Sequence, residues 1–191
     1  MNNRWIIVFD WETDGTDPTT CNPVELAAVP IEPRTLEVKT DKAFSTVIKP
    51  PGITKEDYFT DERQKTIEWH AKQRGVESSD IIAAWKKGKS EKIAWKNFCE
   101  YCKKFNIDKS YGNWYTEPIP AGYNIIGFDL PICERLAKKH KTPMPFSKVN
   151  KMDLMDLLFY WFENLEEPKN MKLDTVRDFF GIKADQAHEA Y

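Results

Sequence analysis

The feature that most constrains the fold is a run of four apolar residues, 6–9, that leads directly into the acid Asp10. An unbroken apolar run of this length is typical of a strand buried on both faces, because alternate side chains of a strand point to opposite faces of its sheet. We therefore predict a first β-strand at the centre of a sheet. The strand is expected to end at Asp10.

The remaining hydrophobic pattern predicts an α/β domain in which strands and helices do not simply alternate. Residues 24–31 and 35–48 are strand candidates, and 119–123 is a short one. One helix is expected to start at Thr66 and end at Gly75, and a second to start after Ser90. Further helices are predicted over 129–140, 153–162 and 172–180, the last closed by Gly181.

Bulk composition indicates one soluble globular domain over residues 1–191. Hydrophobic residues make up 41% of the chain, which is enough for a buried core and argues against disorder. No stretch approaches the roughly 20 apolar residues of a membrane helix, and the N-terminus does not resemble a signal peptide. The four cysteines are few and irregularly spaced, which fits free thiols in a reducing compartment. We expect a cytoplasmic protein without membrane partners.

The first candidate site is the acid pair Asp10 and Glu12 at the end of the predicted first strand. Residues i and i+2 of a strand point to the same face, so both carboxylates are expected to lean into one site. Carboxylate oxygens are the ligands that Mg²⁺ prefers. The alternative is a pair of solvated loop acids, since this short pattern is common by chance.

The second candidate site lies in residues 121–131, where Asn124 follows a predicted strand and Asp129 starts a predicted helix. Asp129 could cap that helix, and capping is compatible with metal binding because a carboxylate has two oxygens. Asn124 could equally be a turn residue that holds its own backbone.

The third candidate is His188, close to the last residue of the sequence. A histidine titrates near neutral pH and could take the proton of an attacking water. Taken alone, His188 could equally be an ordinary surface histidine.

Together these three segments resemble the motifs of the DnaQ-like, DEDD-type 3′–5′ exonuclease superfamily. Residues 9–15 (FDWETDG) resemble its first motif, and 124–129 (NIIGFD) resemble its second. Residues 188–190 (HEA) resemble the opening of the third motif in the histidine (DEDDh) branch. The motifs occur in the family's order, so the resemblance covers nearly the whole chain.

The resemblance implies a ribonuclease H-like fold: a mixed five-stranded sheet with the first strand central and helices on both faces. It also implies two metal ions, Mg²⁺ or Mn²⁺, that act in hydrolysis of a phosphodiester bond. Asp10 would contact both ions and Glu12 one of them. Asp129 would complete the other side of the metal site. His188 would be the general base, and nucleoside 5′-monophosphates would be released from a 3′ end.

The resemblance also implies which residues contact the substrate and which partners the chain has. The backbone after Glu12 would hold the terminal nucleotide. The expected partners are single-stranded DNA or RNA 3′ ends and, for a proofreading module, a polymerase or another replication or repair protein. The substrate-binding positions carried over from the motifs are Thr13, Gly15, Asn124 and Phe128. Residues 66–70 weakly resemble a substrate-side helix of some exonucleases in this group.

One departure from the family pattern concerns its last metal-binding acid, which lies five positions after the motif histidine. In this numbering it would fall two positions beyond Tyr191. Three interpretations stay open: a shortened chain, a natural protein that continues past this residue, or reduced activity. The function alternatives are therefore a DNA exonuclease, an exoribonuclease, and a catalytically impaired ribonuclease H-like module that binds nucleic acid or a partner.

Overall fold

A six-stranded mixed sheet organises the part of the chain that the computed structural model describes, residues 3–107 and 116–182. The strand order is β4-β3-β2-β1-β5-β6. Strand β1 runs antiparallel to β2 and parallel to β5, so it is central as predicted. The strands are β1 (Ile6–Thr13), β2 (Pro23–Ile31), β3 (Phe44–Lys49), β4 (Lys89–Ser90), β5 (Ile119–Gly122) and β6 (Met152–Asp153).

Helices cover both faces of this sheet. They are α1 (Asp61–Arg74), α2 (Ser78–Lys87), α3 (Glu91–Lys103), α4 (Asp129–His140), α5 (Leu154–Phe162) and α6 (Leu173–Phe179). Helices α3 and α4 share the larger core with the buried face of β1, around Phe9, Trp11 and Phe98. Helices α1 and α2 form a second core around Ile67, Trp85 and β3. The predicted α/β layering is confirmed.

Two predictions about the strands are wrong. The sheet has six strands among the described residues instead of five, because β4 and β6 contain only two residues each and are too short to produce an alternating pattern. Strand β1 continues past Asp10 to Thr13. Pairing with β2 maintains it, since Asp10 lies opposite Ala27 and Glu12 opposite Glu25. Backbone hydrogen bonds do not depend on the polarity of the side chain, so an acid need not end a strand.

The third predicted strand and the first predicted helix have different bounds in the structure. Strand β3 is Phe44–Lys49, so it begins nine residues after the start of the predicted 35–48, following a 3₁₀ turn at Thr40–Lys42. Helix α1 starts at Asp61, where the Thr60 side chain accepts a hydrogen bond from the backbone of Arg63. Because the first turn of α1 is entirely polar, apolar periodicity does not indicate where the helix starts. Helix α2 was not predicted.

The remaining predicted elements agree with the structure to within one or two residues at most ends. Strands β2 and β5 and helices α3 to α6 all occur where the pattern placed them. Gly181 follows α6 with a φ of 64°, the left-handed conformation that a glycine cap provides. Every helix within 3–107 and 116–182 is too short or too polar to cross a bilayer.

Candidate active site

A backbone hydrogen bond brings the second motif to the first. Asp129 begins α4 and is buried, and its Oδ1 accepts a hydrogen bond of 2.9 Å from the backbone N–H of Trp11. Trp11 lies between Asp10 and Glu12 in β1, so a residue 118 positions away is held against the acid pair. Asp10 and Glu12 share the opposite face of the strand from Trp11. The structure therefore places the three predicted acids at one end of β1.

The three carboxyl groups are electrostatically unfavourable as they stand. Burial raises the pKa of Asp10 to about 6, because protein atoms displace much of the water around it even though part of its side chain reaches solvent. Burial and then the charge of Asp10 raise the pKa of Glu12 to about 7. Burial raises the pKa of Asp129 well above its usual value, and the charge of Asp10 adds to that rise. A bound cation would relieve this repulsion.

The chemistry of the donors fits a hard divalent cation, since clustered carboxylate oxygens are what Mg²⁺ and Mn²⁺ bind. The geometry fits only in part. In the described portions of the chain, no three Asp, Glu, His or Cys side chains stand close enough together to hold an ion by themselves. Asp129 already accepts the Trp11 N–H through one of its oxygens. Asp10, Glu12 and Asp129 are thus candidate ligands that the described chain does not assemble into a complete set.

Helix α1 supplies polar groups around Glu12 that belong to none of the three motifs. The buried ring of His70 has Nε2 3.0 Å from the carbonyl oxygen of Thr13 and Nδ1 3.7 Å from Oε2 of Glu12. Arg74 donates two hydrogen bonds, of 2.6 and 3.0 Å, to Glu25 on the neighbouring strand. Arg74 also lowers the pKa of Glu12, against the larger effects that raise it. The four-residue spacing of His70 and Arg74, which puts them on one helix face, could have indicated this role.

A groove of about 530 Å³ opens beside Glu12, between the end of β1 and α1. Glu12, Thr13, Gly15 and Phe128 lie on the β1 side of it. Trp69 of α1 lies on the other side and is 43% exposed, which is unusual for a side chain of this size. The remaining residues that line the groove are Trp11, Thr16, Glu62, Lys65, Thr66 and His70. The groove combines the aromatic side chains of Trp11, Trp69 and Phe128 with polar groups, a mixture that is typical of ligand pockets.

Asn124 does not line this groove. It adopts a φ of 58°, and its backbone N–H donates to Oδ1 of Asp153 at 2.8 Å. The backbone N–H of Ile126 donates to the other oxygen of the same carboxylate at 2.9 Å. Asp153 thereby holds the turn that leads from β5 into α4, and Asn124 has the geometry of the turn residue considered above.

Asp14, the remaining acid of the first motif, is an anchor for the loop after β1. It is buried and accepts hydrogen bonds from the backbone and side-chain nitrogens of Asn22 at 2.7 and 2.8 Å. The Tyr58 hydroxyl donates to it at 2.8 Å, and Nε of Arg63 lies 3.1 Å from it. These contacts join the loop to the start of α1, so Asp14 shapes the groove without facing into it. His188 lies outside the described residues.

Comparison with known structures identifies the fold. The chain aligns with Escherichia coli exonuclease I in complex with a dT13 oligonucleotide at a TM-score of 0.70 and 19% identity, over 98% of this chain and 38% of that one. The chain has the ribonuclease H-like fold of exonuclease I. The zinc-bound form of an E. coli ExoI–ssDNA complex aligns at 0.70 and 20% identity, over 98% of this chain and 37% of that one. An ExoI/SSB-Ct complex aligns at 0.70 and 18% identity, over 100% and 39%.

The similarity to exonuclease I is one of backbone structure. This chain spans about two fifths of the exonuclease I chains that it matches. No protein-family model matches the sequence, and no curated protein matches it significantly. Sequence identity near 19% leaves activity and substrate to be argued from the site itself.

Proposed function

We propose that this chain is a metal-dependent 3′–5′ exonuclease that hydrolyses phosphodiester bonds at the 3′ end of single-stranded DNA and releases nucleoside 5′-monophosphates. The observation that carries the proposal is the bond between the Trp11 N–H and Asp129, which gathers three mutually repelling acids beside an aromatic groove. The fold supports it, since the solved exonuclease I structures include complexes with single-stranded oligonucleotides.

Asp10, Glu12 and Asp129 would hold Mg²⁺ or Mn²⁺ in this proposal. Bound metal supplies positive charge for the attacking and leaving oxygens of an in-line displacement. The zinc-bound form among the similar structures is consistent with a divalent ion. Because the net charge of the chain is −2, attraction for a phosphate depends on such local positive charge. His188 is the proposed acceptor of the proton from the attacking water.

The groove beside the acids would receive the terminal nucleotide. Trp69 and Phe128 present aromatic surfaces on which a base can stack. Lys65, on the same face of α1 as Trp69, lies near enough to the groove to attract a phosphate. Thr13 and Gly15 would contact the nucleotide through the backbone after Glu12, where the Thr13 hydroxyl already donates to the Gly15 carbonyl at 2.6 Å.

A 5′-labelled single-stranded oligonucleotide tests this function directly. With Mg²⁺ or Mn²⁺ we expect a ladder that shortens from the 3′ end, and no ladder with EDTA. Asp10→Asn should abolish the ladder. Asp17→Asn is the control, because Asp17 is an exposed acid of the loop after β1 whose carboxylate, among the described residues, accepts hydrogen bonds from Thr19 and Thr20. Uncut oligonucleotide in every metal condition would count against the proposal.

A competition between DNA and RNA strands of the same sequence decides between deoxyribose and ribose substrates, since a contact to the 2′-hydroxyl distinguishes the two.

A second candidate function is a ribonuclease H-like module that binds single-stranded nucleic acid or a partner protein without turnover. The observation that favours it is the incomplete set of metal ligands in the described residues. This candidate predicts that oligonucleotide binding persists unchanged in EDTA and that no metal produces shortening. Binding that requires Mn²⁺ would reject it.

A further inference from the structure

We infer that Trp11 and Cys133 are positioning residues, whose hydrogen bond fixes α4 against β1 and so keeps Asp129 beside Asp10 and Glu12. This inference rests on the proposed function, because it assigns a role to the groups behind the acids of that site. The first motif contains Trp11 without assigning it a role, and Cys133 lies outside the motifs.

Trp11 binds α4 at two points. Its backbone N–H donates to Oδ1 of Asp129 at 2.9 Å, and its indole Nε1 donates to Sγ of Cys133 at 3.3 Å. Asp129 and Cys133 are four residues apart in α4 and so lie on one face of the helix, one turn apart. Two bonds one turn apart restrain both the sliding and the rotation of α4 along the strand, which a single bond cannot do.

The backbone bond needs such support because the acids that it brings together repel one another. Asp10 and Asp129 are close enough for the charge of one to disfavour the charge of the other, and Asp129 is buried. A small movement of α4 away from β1 would relieve that repulsion. The indole opposes the movement, because leaving Cys133 would strand a buried N–H donor without an acceptor.

A second buried tryptophan in the same core shows what an ordinary structural indole does. Trp95 of α3 is as buried as Trp11, and its Nε1 donates to the Thr142 hydroxyl at 2.8 Å. Both rings lie about equally far from the Phe98 ring, at 6.0 Å for Trp11 and 6.1 Å for Trp95. Within residues 3–107 and 116–182, no hydrogen bond of the Trp95 side chain reaches an acid of the site. Trp95→Phe is therefore a matched control for the loss of one buried indole bond.

The test measures Mn²⁺ affinity of the complete chain by titration calorimetry. Trp11→Phe and Cys133→Ala should each weaken Mn²⁺ binding about tenfold, as is typical when a group that orients a metal ligand is removed. Trp95→Phe should leave the affinity at the wild-type value. Cys133→Ser should restore it relative to Cys133→Ala, since a hydroxyl oxygen also accepts an indole N–H. The indole proton resonance of Trp11 should move in both Cys133 variants and not in Trp95→Phe.

The outcomes separate this inference from the proposed function. Wild-type Mn²⁺ affinity in both Trp11→Phe and Cys133→Ala overturns the inference, whether or not the wild type cuts DNA. If Trp11→Phe fails to fold, the comparison of Cys133→Ala with Cys133→Ser decides in its place. Weakened Mn²⁺ binding in a chain that never cuts an oligonucleotide supports the positioning role and rejects the nuclease. A wild type that binds no Mn²⁺ overturns both.

Discussion

At the scale of single residues, the surroundings of the acids at the end of β1 disfavour their charged forms. The pKa of Asp10 rises from 3.8 to about 6, and that of Glu12 from 4.5 to about 7. At pH values between the ordinary and the raised pKa of each acid, the folded chain binds more protons than the unfolded chain. Stability therefore falls as pH rises through this window, since its slope follows the difference in bound protons.

The first prediction concerns this pH dependence. In EDTA, the melting temperature should be lower at about pH 8 than at about pH 5, because the acids are charged and unrelieved at the higher pH. The double variant Asp10→Asn, Glu12→Gln should reduce that difference. Addition of Mn²⁺ should raise the melting temperature of the wild type at the higher pH and leave the double variant unchanged. A metal-free wild type that becomes more stable over this range relative to the double variant would contradict the pKa directions.

The second prediction tests Asp14 as the anchor of the loop after β1. Asp14→Ala should lower the free energy of unfolding by about 3 kcal/mol, because it strands the partly buried Arg63 and the buried Tyr58 hydroxyl. Asp17→Ala, on the exposed side of the same loop, should lower it much less, because the water around Asp17 can take over the hydrogen bonds of its partners. Urea denaturation measures both. Equal losses would show that Asp14 does not anchor the loop.

At the scale of elements, α1 is the part of the site that local sequence patterns described least well. It approaches β1 through His70 and Arg74 and places Trp69 on the groove opposite Phe128. The weak resemblance over 66–70 pointed to this helix but assigned no contact. The indole of Trp69 contacts the His70 ring edge-on at 5.0 Å but is itself largely exposed, whereas Ile67, His70 and Ala71 form the buried side of α1.

The third prediction tests α1 as a wall of the groove. Trp69→Ala should raise KM for a single-stranded oligonucleotide about tenfold, with a smaller change in kcat, because base stacking on an aromatic ring contributes roughly 1–3 kcal/mol. Trp69→Phe should retain most of the affinity. The matched control is Ile93→Ala, an exposed apolar residue of α3 that does not line the groove. Equal KM values for Trp69→Ala and Ile93→Ala would exclude stacking at this position.

The fourth prediction concerns the junction between α2 and the sheet. A Cβ at Gly88 would lie 2.7 Å from the carbonyl carbon of Ile48 and 2.8 Å from the backbone nitrogen of Lys49. Backbone atoms of a paired strand cannot yield easily, so Gly88→Ala should cost about 1–3 kcal/mol. Gly75→Ala, where nothing lies within 4 Å but φ is 63°, should cost only about 1 kcal/mol. Thermal denaturation of both variants checks the order.

At the scale of the whole molecule, the chain has a net charge close to zero. A net charge of −2 offers little general attraction for a polyanion, in contrast to proteins that bind nucleic acid through a basic surface. Binding of single-stranded DNA is therefore expected to depend on metal at the acids and on stacking in the groove.

The fifth prediction follows from that balance of charge. Affinity for a cleavage-resistant phosphorothioate oligonucleotide should fall at least about tenfold when Mn²⁺ is removed with EDTA, because metal provides the local positive charge. Asp10→Asn should bind weakly with or without Mn²⁺. Fluorescence anisotropy measures these affinities. Undiminished binding in EDTA would instead support the module that binds without turnover.

Local sequence was sufficient for much of the architecture. The apolar run 6–9 indicated a central strand, and the spacing in α3 and α4 indicated helices, because periodicity and caps report on neighbouring residues alone. The polar first turn of α1 and the two-residue strands β4 and β6 carry no such pattern. The two short strands form because partners elsewhere in the chain supply their hydrogen bonds. The first turn of α1 is capped by the adjacent Thr60 and has no apolar residue to indicate it.

The sequence by itself determined which acids and aromatic residues are available and in which elements they lie. Only the tertiary structure decided that Asp129 meets the acid pair through the N–H of Trp11, that α1 forms one side of the groove, and that Asn124 belongs to a turn. The physical reason is distance along the chain. A contact between residues 118 positions apart depends on how helices pack on the sheet, and that packing is a property of the whole core.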